Sequence, residues 1–165
     1  MGAHVTLTDL PVLRDRVDRN IGLNAPSVAE AGGTLAFQTL DWNRCSEWNT
    51  QGPMDLIIAT DCVWHTSFII PFVATLHRLC AAYGCPALVA HKIRYPGVGE
   101  PFFEALRAAG FELELQACPE GVVVRDCVVW HACLLPGSGP PCSEPVPETE
   151  LTATTNPMST PQKLS

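Results

Sequence analysis

The stretch Met54-Asp55-Leu56-Ile57-Ile58-Ala59-Thr60-Asp61-Cys62-Val63-Trp64 constrains this chain more than any other. An acidic start runs into a short apolar segment, Leu56 to Ala59, whose length and branched residues predict a buried strand. An acid and an aromatic stand at its carboxyl end, and a helix is expected from about Phe68. In open α/β sheets, ligands occupy the crevice beyond the carboxyl ends of the strands. Asp61 and Trp64 therefore fall where a site would form.

Read in order, the chain begins with a strand over His4 to Thr8. Asp9 can cap the helix that follows, and Pro11 suits its first turn because the missing N–H would be unpaired there. Leu10, Leu13, Val17, Ile21 and Asn24 keep helical spacing, and a loop is expected from Asn24 to Gly33. Thr34 to Leu40 alternates as a second strand ending in Asp41-Trp42, and a polar loop runs from Asn43 to Pro53. After the central strand, Ile69, Phe72, Val73, Leu76, Leu79, Cys80 and Tyr83 share one helical face, closed by Gly84. A strand over Ala87 to Ala90, a helix over Pro101 to Ala109, and strands over Phe111 to Cys118 and Arg125 to Leu135 complete the series. Alternating strands and helices imply a mostly parallel sheet covered on both faces. The short link through Pro119 and Gly121 makes the last two strands antiparallel at one edge. From Pro136 the composition changes: seven of the fifteen prolines fall there, with many Ser and Thr. A segment of that kind buries too little surface to offset its ordering entropy. The expected organisation is a domain over 1–135 and a disordered tail over 136–165.

Composition narrows the function. Hydrophobic residues make up 47% of the 165, enough for one domain with a sizeable core. The net charge is −7 and the ten Lys and Arg are scattered, which argues against a nucleic-acid partner. No apolar run approaches the roughly 20 residues of a bilayer span, and no signal peptide is visible. The eight cysteines accordingly read as reduced thiols, small hydrophobes within apolar runs.

Three strand ends carry candidate chemistry. Asp9 could accept hydrogen bonds from ribose hydroxyls, or could simply cap a helix. At Asp41-Trp42 an indole could stack on an adenine ring while the acid accepts from an exocyclic amine; the alternative is a plain core Trp. Asp61 and Trp64, three residues apart, could receive an alkylammonium by charge and cation–π attraction, or serve as a cap and a packed ring. Cys62-x-x-His65 and His77-x-x-Cys80 imitate zinc-ligand spacing, but a rise of 1.5 Å per helical residue puts the pairs roughly 15 Å apart, so no metal site is expected. His4, His91 and His131 have no catalytic companion in the sequence.

Taken together, Val5-Thr6-Leu7-Thr8-Asp9-Leu10-Pro11, Leu40-Asp41-Trp42 and Asp55 through Trp64 resemble the seven-β-strand S-adenosylmethionine-dependent methyltransferases. The resemblance is closest to the family-16 protein-lysine methyltransferases, the methyltransferase-like 21 group. Phe102-Phe103-Glu104-Ala105-Leu106 and Ala109-Gly110-Phe111 fit the same family's last helix and strand. The resemblance spans about residues 3–135 and implies a Rossmann-like sheet. Asp9 would then hold the ribose of S-adenosylmethionine, Trp42 with Asp41 would line the adenine pocket, and Thr60 would contact the cofactor. Asp61 and Trp64 match the acid-x-x-aromatic motif at the substrate lysine, with Trp in place of the commoner Tyr or Phe. The family's first strand, glycine-rich loop and helix have no counterpart here, since Met1-Gly2-Ala3 matches only the end of that helix. That strand would lie between the strands ending at Asp9 and Thr60. The implied activity is methyl transfer to a protein lysine, in the cytoplasm or nucleus. A truncated, non-catalytic protein-binding module and a small-molecule methyltransferase are the alternatives.

Overall fold

Two short parallel pairs, rather than one continuous ladder, organise the carboxyl-end crevice. The computed structural model describes residues 2–48, 52–92, 97–117 and 127–138. Strand β1 (His4–Asp9) pairs in parallel with β2 (Thr34–Thr39), from His4 beside Thr34 to Asp9 beside Thr39. Strand β3 (Ile57–Thr60) pairs in parallel with β4 (Ala87–Lys92). Beyond β4 lies β6 (Cys127–Leu134), antiparallel to it and to β5 (Phe111–Leu115). The strands thus form a two-stranded sheet, β1-β2, and a four-stranded sheet, β3-β4-β6-β5. The expected antiparallel carboxyl-terminal pair is present. Among the described residues, β1 and β3 each have one ladder partner, so the expected single sheet is divided between them.

Helix α1 (Arg14–Glu30) corrects the loop expected over 24–33. Its half-buried stripe continues past Asn24 through Ala25 and Val28, at the same spacing as Val17 and Ile21. Pro26 lies inside the helix, where it forgoes the N–H bond to the Gly22 carbonyl and crowds that carbonyl with its ring. Gly33 then meets β1 closely: a Cβ there would stand 2.5 Å from the Ala3 carbonyl oxygen. Arg14 lies over the Phe37 ring at 5.0 Å, which fixes α1 against β2. Two further expectations shift. Asp9 does not cap the helix but accepts from the Leu10 N–H at 2.8 Å, and the 3-10 turn Pro11–Leu13 intervenes. The loop after Trp42 opens with 3-10 turns over Trp42–Glu47.

The core lies under one face of the four-stranded sheet. Helix α2 (Ile69–Tyr83) buries Phe72, Val73, Leu76 and Cys80, and α3 (Gly99–Ala108) buries Phe102, Phe103 and Leu106. They pack with Ala59, Ala87, Val89 and Ala132, which the sheet register brings to one face. Gly84 closes α2 in the left-handed conformation (φ 63), its N–H bonded to the Cys80 carbonyl. On the opposite face Ile58 is 66% exposed, although parallel strands are ordinarily covered on both sides. The tail expected from 136 falls almost wholly outside the described residues; Ser138 still turns back to bond the Leu135 carbonyl. Among the described residues, no helix is long and apolar enough to cross a membrane.

Candidate functional site

The carboxyl ends of β1 and β3 each lead to an acid. Asp9 ends β1, and Asp61 follows β3 directly, its N–H donating to the Ala90 carbonyl of β4 at 2.7 Å. Asp61 adopts φ 55, the left-handed region, alone among the described non-glycine residues. Asp and Asn enter that region more readily than other side chains, because a short polar group can bond locally. The backbone bond to β4 holds the turn there and sends the chain sharply away from the strand. Burial pushes the Cys62 thiol up; its contact with the Thr60 carbonyl opposes this, and the negative charges of Asp61 and then Asp9 add to the rise.

A narrow packing gap, too small to admit a water molecule, lies at the ends of β3 and β4. Cys62, Val63, Phe72, Ala90, His91 and Phe102 are among its walls. Small-molecule sites commonly enclose about 300–1,000 Å³, so this gap is interior packing and not itself a ligand pocket. His91, a residue without a companion in the sequence, is buried here with its ring against Phe102 and Phe103.

An aromatic row joins the remaining candidates. The Trp42 ring meets Phe72 at 5.1 Å and Phe68 at 6.2 Å, both edge to face. Phe68 in turn meets Trp64 at 4.9 Å, so one ring separates Trp42 from Trp64. Trp42 is half-buried and is steadied by Thr75, whose hydroxyl donates to the Trp42 carbonyl at 3.3 Å and the Pro71 carbonyl at 2.8 Å. Trp64 is 57% exposed and forms the outer rim. Thr60, the last residue of β3, is exposed beside Ala90. Asp41 is already engaged structurally, because its carboxylate caps the 3-10 turns by accepting from the Asn43 N–H at 2.9 Å. His65, adjacent to the rim, accepts from the Ser67 N–H through Nδ1.

In the sequence, His65 carries only a zinc-like spacing, Phe68 only a helix start and His91 no role beyond structure or surface. Phe68 carried a readable signal, four residues after Trp64 at the start of an apolar helical face. His91 stands next to last in β4, near the carboxyl end that the strand-end rule marks.

The fold, with acids at the ends of neighbouring strands and an aromatic rim, is that of a Rossmann-like S-adenosylmethionine-dependent methyltransferase. A solved TehB-like SAM-dependent methyltransferase from Corynebacterium glutamicum shares it, with a TM-score of 0.51 over 80% of this chain and 68% of that one, at 18% identity. More particularly, the lysine methyltransferase family model matches residues 1–109, and the chain belongs to that family. Similar curated proteins include the mouse EEF1A lysine methyltransferase 3, 32% identical over 142 residues. Another is the Schizosaccharomyces pombe protein-lysine N-methyltransferase rrg1, 28% identical over 124 residues. These alignments span 86% and 70% of this chain but 59% and 40% of the relatives' own lengths.

Proposed function

We propose that this chain supplies the acceptor side and part of the cofactor side of an S-adenosylmethionine-dependent protein-lysine methyltransferase. The observation that carries the reading is the ring row Trp42–Phe68–Trp64, which joins the end of β2 to the turn that follows Asp61. The strand-end residues suit the proposed ligands. The Asp9 carboxylate engages the Leu10 N–H through Oδ1 and has acceptor capacity left for a ribose hydroxyl. Trp42 offers an aromatic surface for an adenine ring, with Asp41 at its shoulder and Thr60 at the adjoining strand end.

S-adenosylmethionine, when bound, supplies an electrophilic methyl group on a sulfonium. The chain's own residues would prepare the acceptor. Asp61 attracts and orients the lysine side chain, and the Trp64 face adds cation–π attraction while the amine is still charged. Val63 and Phe72 belong to the buried apolar packing behind this turn. Rate enhancement in such a site comes chiefly from alignment of the reacting atoms. The two acids divide the labour, Asp9 for the cofactor and Asp61 for the acceptor.

The relative named for EEF1A makes EEF1A the first acceptor to try. Incubation of the chain with tritiated-methyl S-adenosylmethionine and purified EEF1A should place label on lysine, and Asp61→Asn should remove it. Cofactor binding with no label on any lysine would count against the lysine reading. Absence of cofactor binding, together with a stable protein complex, would favour a non-catalytic module.

A further inference from the structure

We propose that His65 is a positioning residue for the acceptor rim, a role that rests on the lysine-methyltransferase reading. Its Nδ1 ties down the turn after Asp61 and so sets the attitude of Trp64. The Nδ1 atom lies 3.2 Å from the Ser67 backbone nitrogen and 2.8 Å from the Ser67 hydroxyl. A backbone N–H can only donate, so Nδ1 must be unprotonated and the neutral ring carries its proton on Nε2. His65 is thereby an N-cap, with an extended backbone (φ −140, ψ 147), for the turn Thr66–Phe68 that leads into α2. Phe68, at the N-cap of α2 itself, provides no side-chain bond. The side-chain restraint on this entry accordingly rests with His65.

The same turn assembles the rim. The His65 ring meets Trp64 at 6.2 Å and Phe68 at 6.1 Å, and Trp64 meets Phe68 at 4.9 Å, all three edge to face. Trp64 is more than half exposed, so burial does not hold it; its attitude follows from where the capped turn puts Phe68 and His65. A ring that receives an alkylammonium must present its face within about 6 Å of the charge, and a tilt of the rim changes acceptor affinity first.

Two variants of the whole chain separate the cap from the ring. His65→Asn keeps an acceptor for the Ser67 N–H and loses the ring; His65→Phe does the reverse. In His65→Phe, Ser67 amide exchange should accelerate about fivefold, the factor that loss of an N-cap bond implies. The KM for EEF1A should rise by a similar factor while kcat and the KM for S-adenosylmethionine stay unchanged. His65→Asn should restore both readouts. Wild-type behaviour of the Phe variant, or an Asn variant as impaired as Phe, overturns the proposal. If the wild type binds S-adenosylmethionine but labels no lysine of any protein, the parent reading fails on its own account. Nuclear Overhauser contacts between Trp64 and Phe68 then decide the role of His65. Their loss in Phe and retention in Asn supports it, and any other pattern overturns it.

Discussion

Asp61 combines a charge with an unusual backbone, and a substitution series separates the two. At φ 55 an ordinary L-residue is disfavoured by roughly 1–2 kcal/mol, a cost that Asp and Asn reduce and Gly avoids. The N–H bond to Ala90 keeps the turn in place, so a replacement cannot escape by moving the backbone. Asp61→Ala should therefore cost about 1 kcal/mol through the backbone alone. For a chain of this size that lowers Tm by about 3 °C. Asp61→Val should cost more because of its branched Cβ, while Asp61→Asn should melt with the wild type. Methyl transfer should be lost in all three. Thermal unfolding followed by circular dichroism, beside the tritium assay, reads both properties. An Ala variant as stable as Asn would refute the backbone argument. An Asn variant with wild-type turnover would refute the need for charge.

Two other outcomes follow from the core. Phe102 is 1% exposed, against Phe72, Phe103 and His91, and Phe102→Ala should cost about 3–5 kcal/mol in denaturant titration. Burial pushes the Cys80 thiol up to about 12, with Cys85 and Cys133 contributing. In the folded chain at pH 8 iodoacetamide should leave Cys80 unmodified, and mass mapping should find it labelled only after unfolding. The sign of the linkage is fixed. Below pH 9 the thiol is protonated in both states, whereas between about 9 and 12 only the unfolded state releases the proton, so stability falls as pH rises.

The central strand and its helix are legible in the sequence because their signals are local and agree: an apolar run, then a helical face from Ile69 to Tyr83 closed by Gly84. Helix α1 reads too short because Pro26 and Asn24 look like a break, whereas the stripe through Ala25 and Val28 continues over them. The candidate acids and aromatics are identifiable from their strand-end positions. The positive φ of Asp61, the caps formed by Asp41 and His65, and the ring row from Trp42 to Trp64 are not. Each depends on three-dimensional neighbours that no periodicity encodes. The division between the sheets follows from which strand edges find partners, a pairing question rather than a propensity question.

That division has a thermodynamic consequence. The buried core cluster contains none of residues 2–39, so β1, α1 and β2 stand on half-buried contacts alone while β3 to β6 share the core. The amino-terminal arm can open locally at a free energy well below that of global unfolding. Asp9 therefore stands on the less deeply packed unit and Asp61 on the one backed by the core. A ligand that touches both must favour the closed arm, and its apparent affinity is scaled by the fraction of molecules in which the arm is closed. Mild denaturant should weaken the Asp9 half of the site first, leaving the Asp61 half formed, so that cofactor affinity fades before the acceptor rim does.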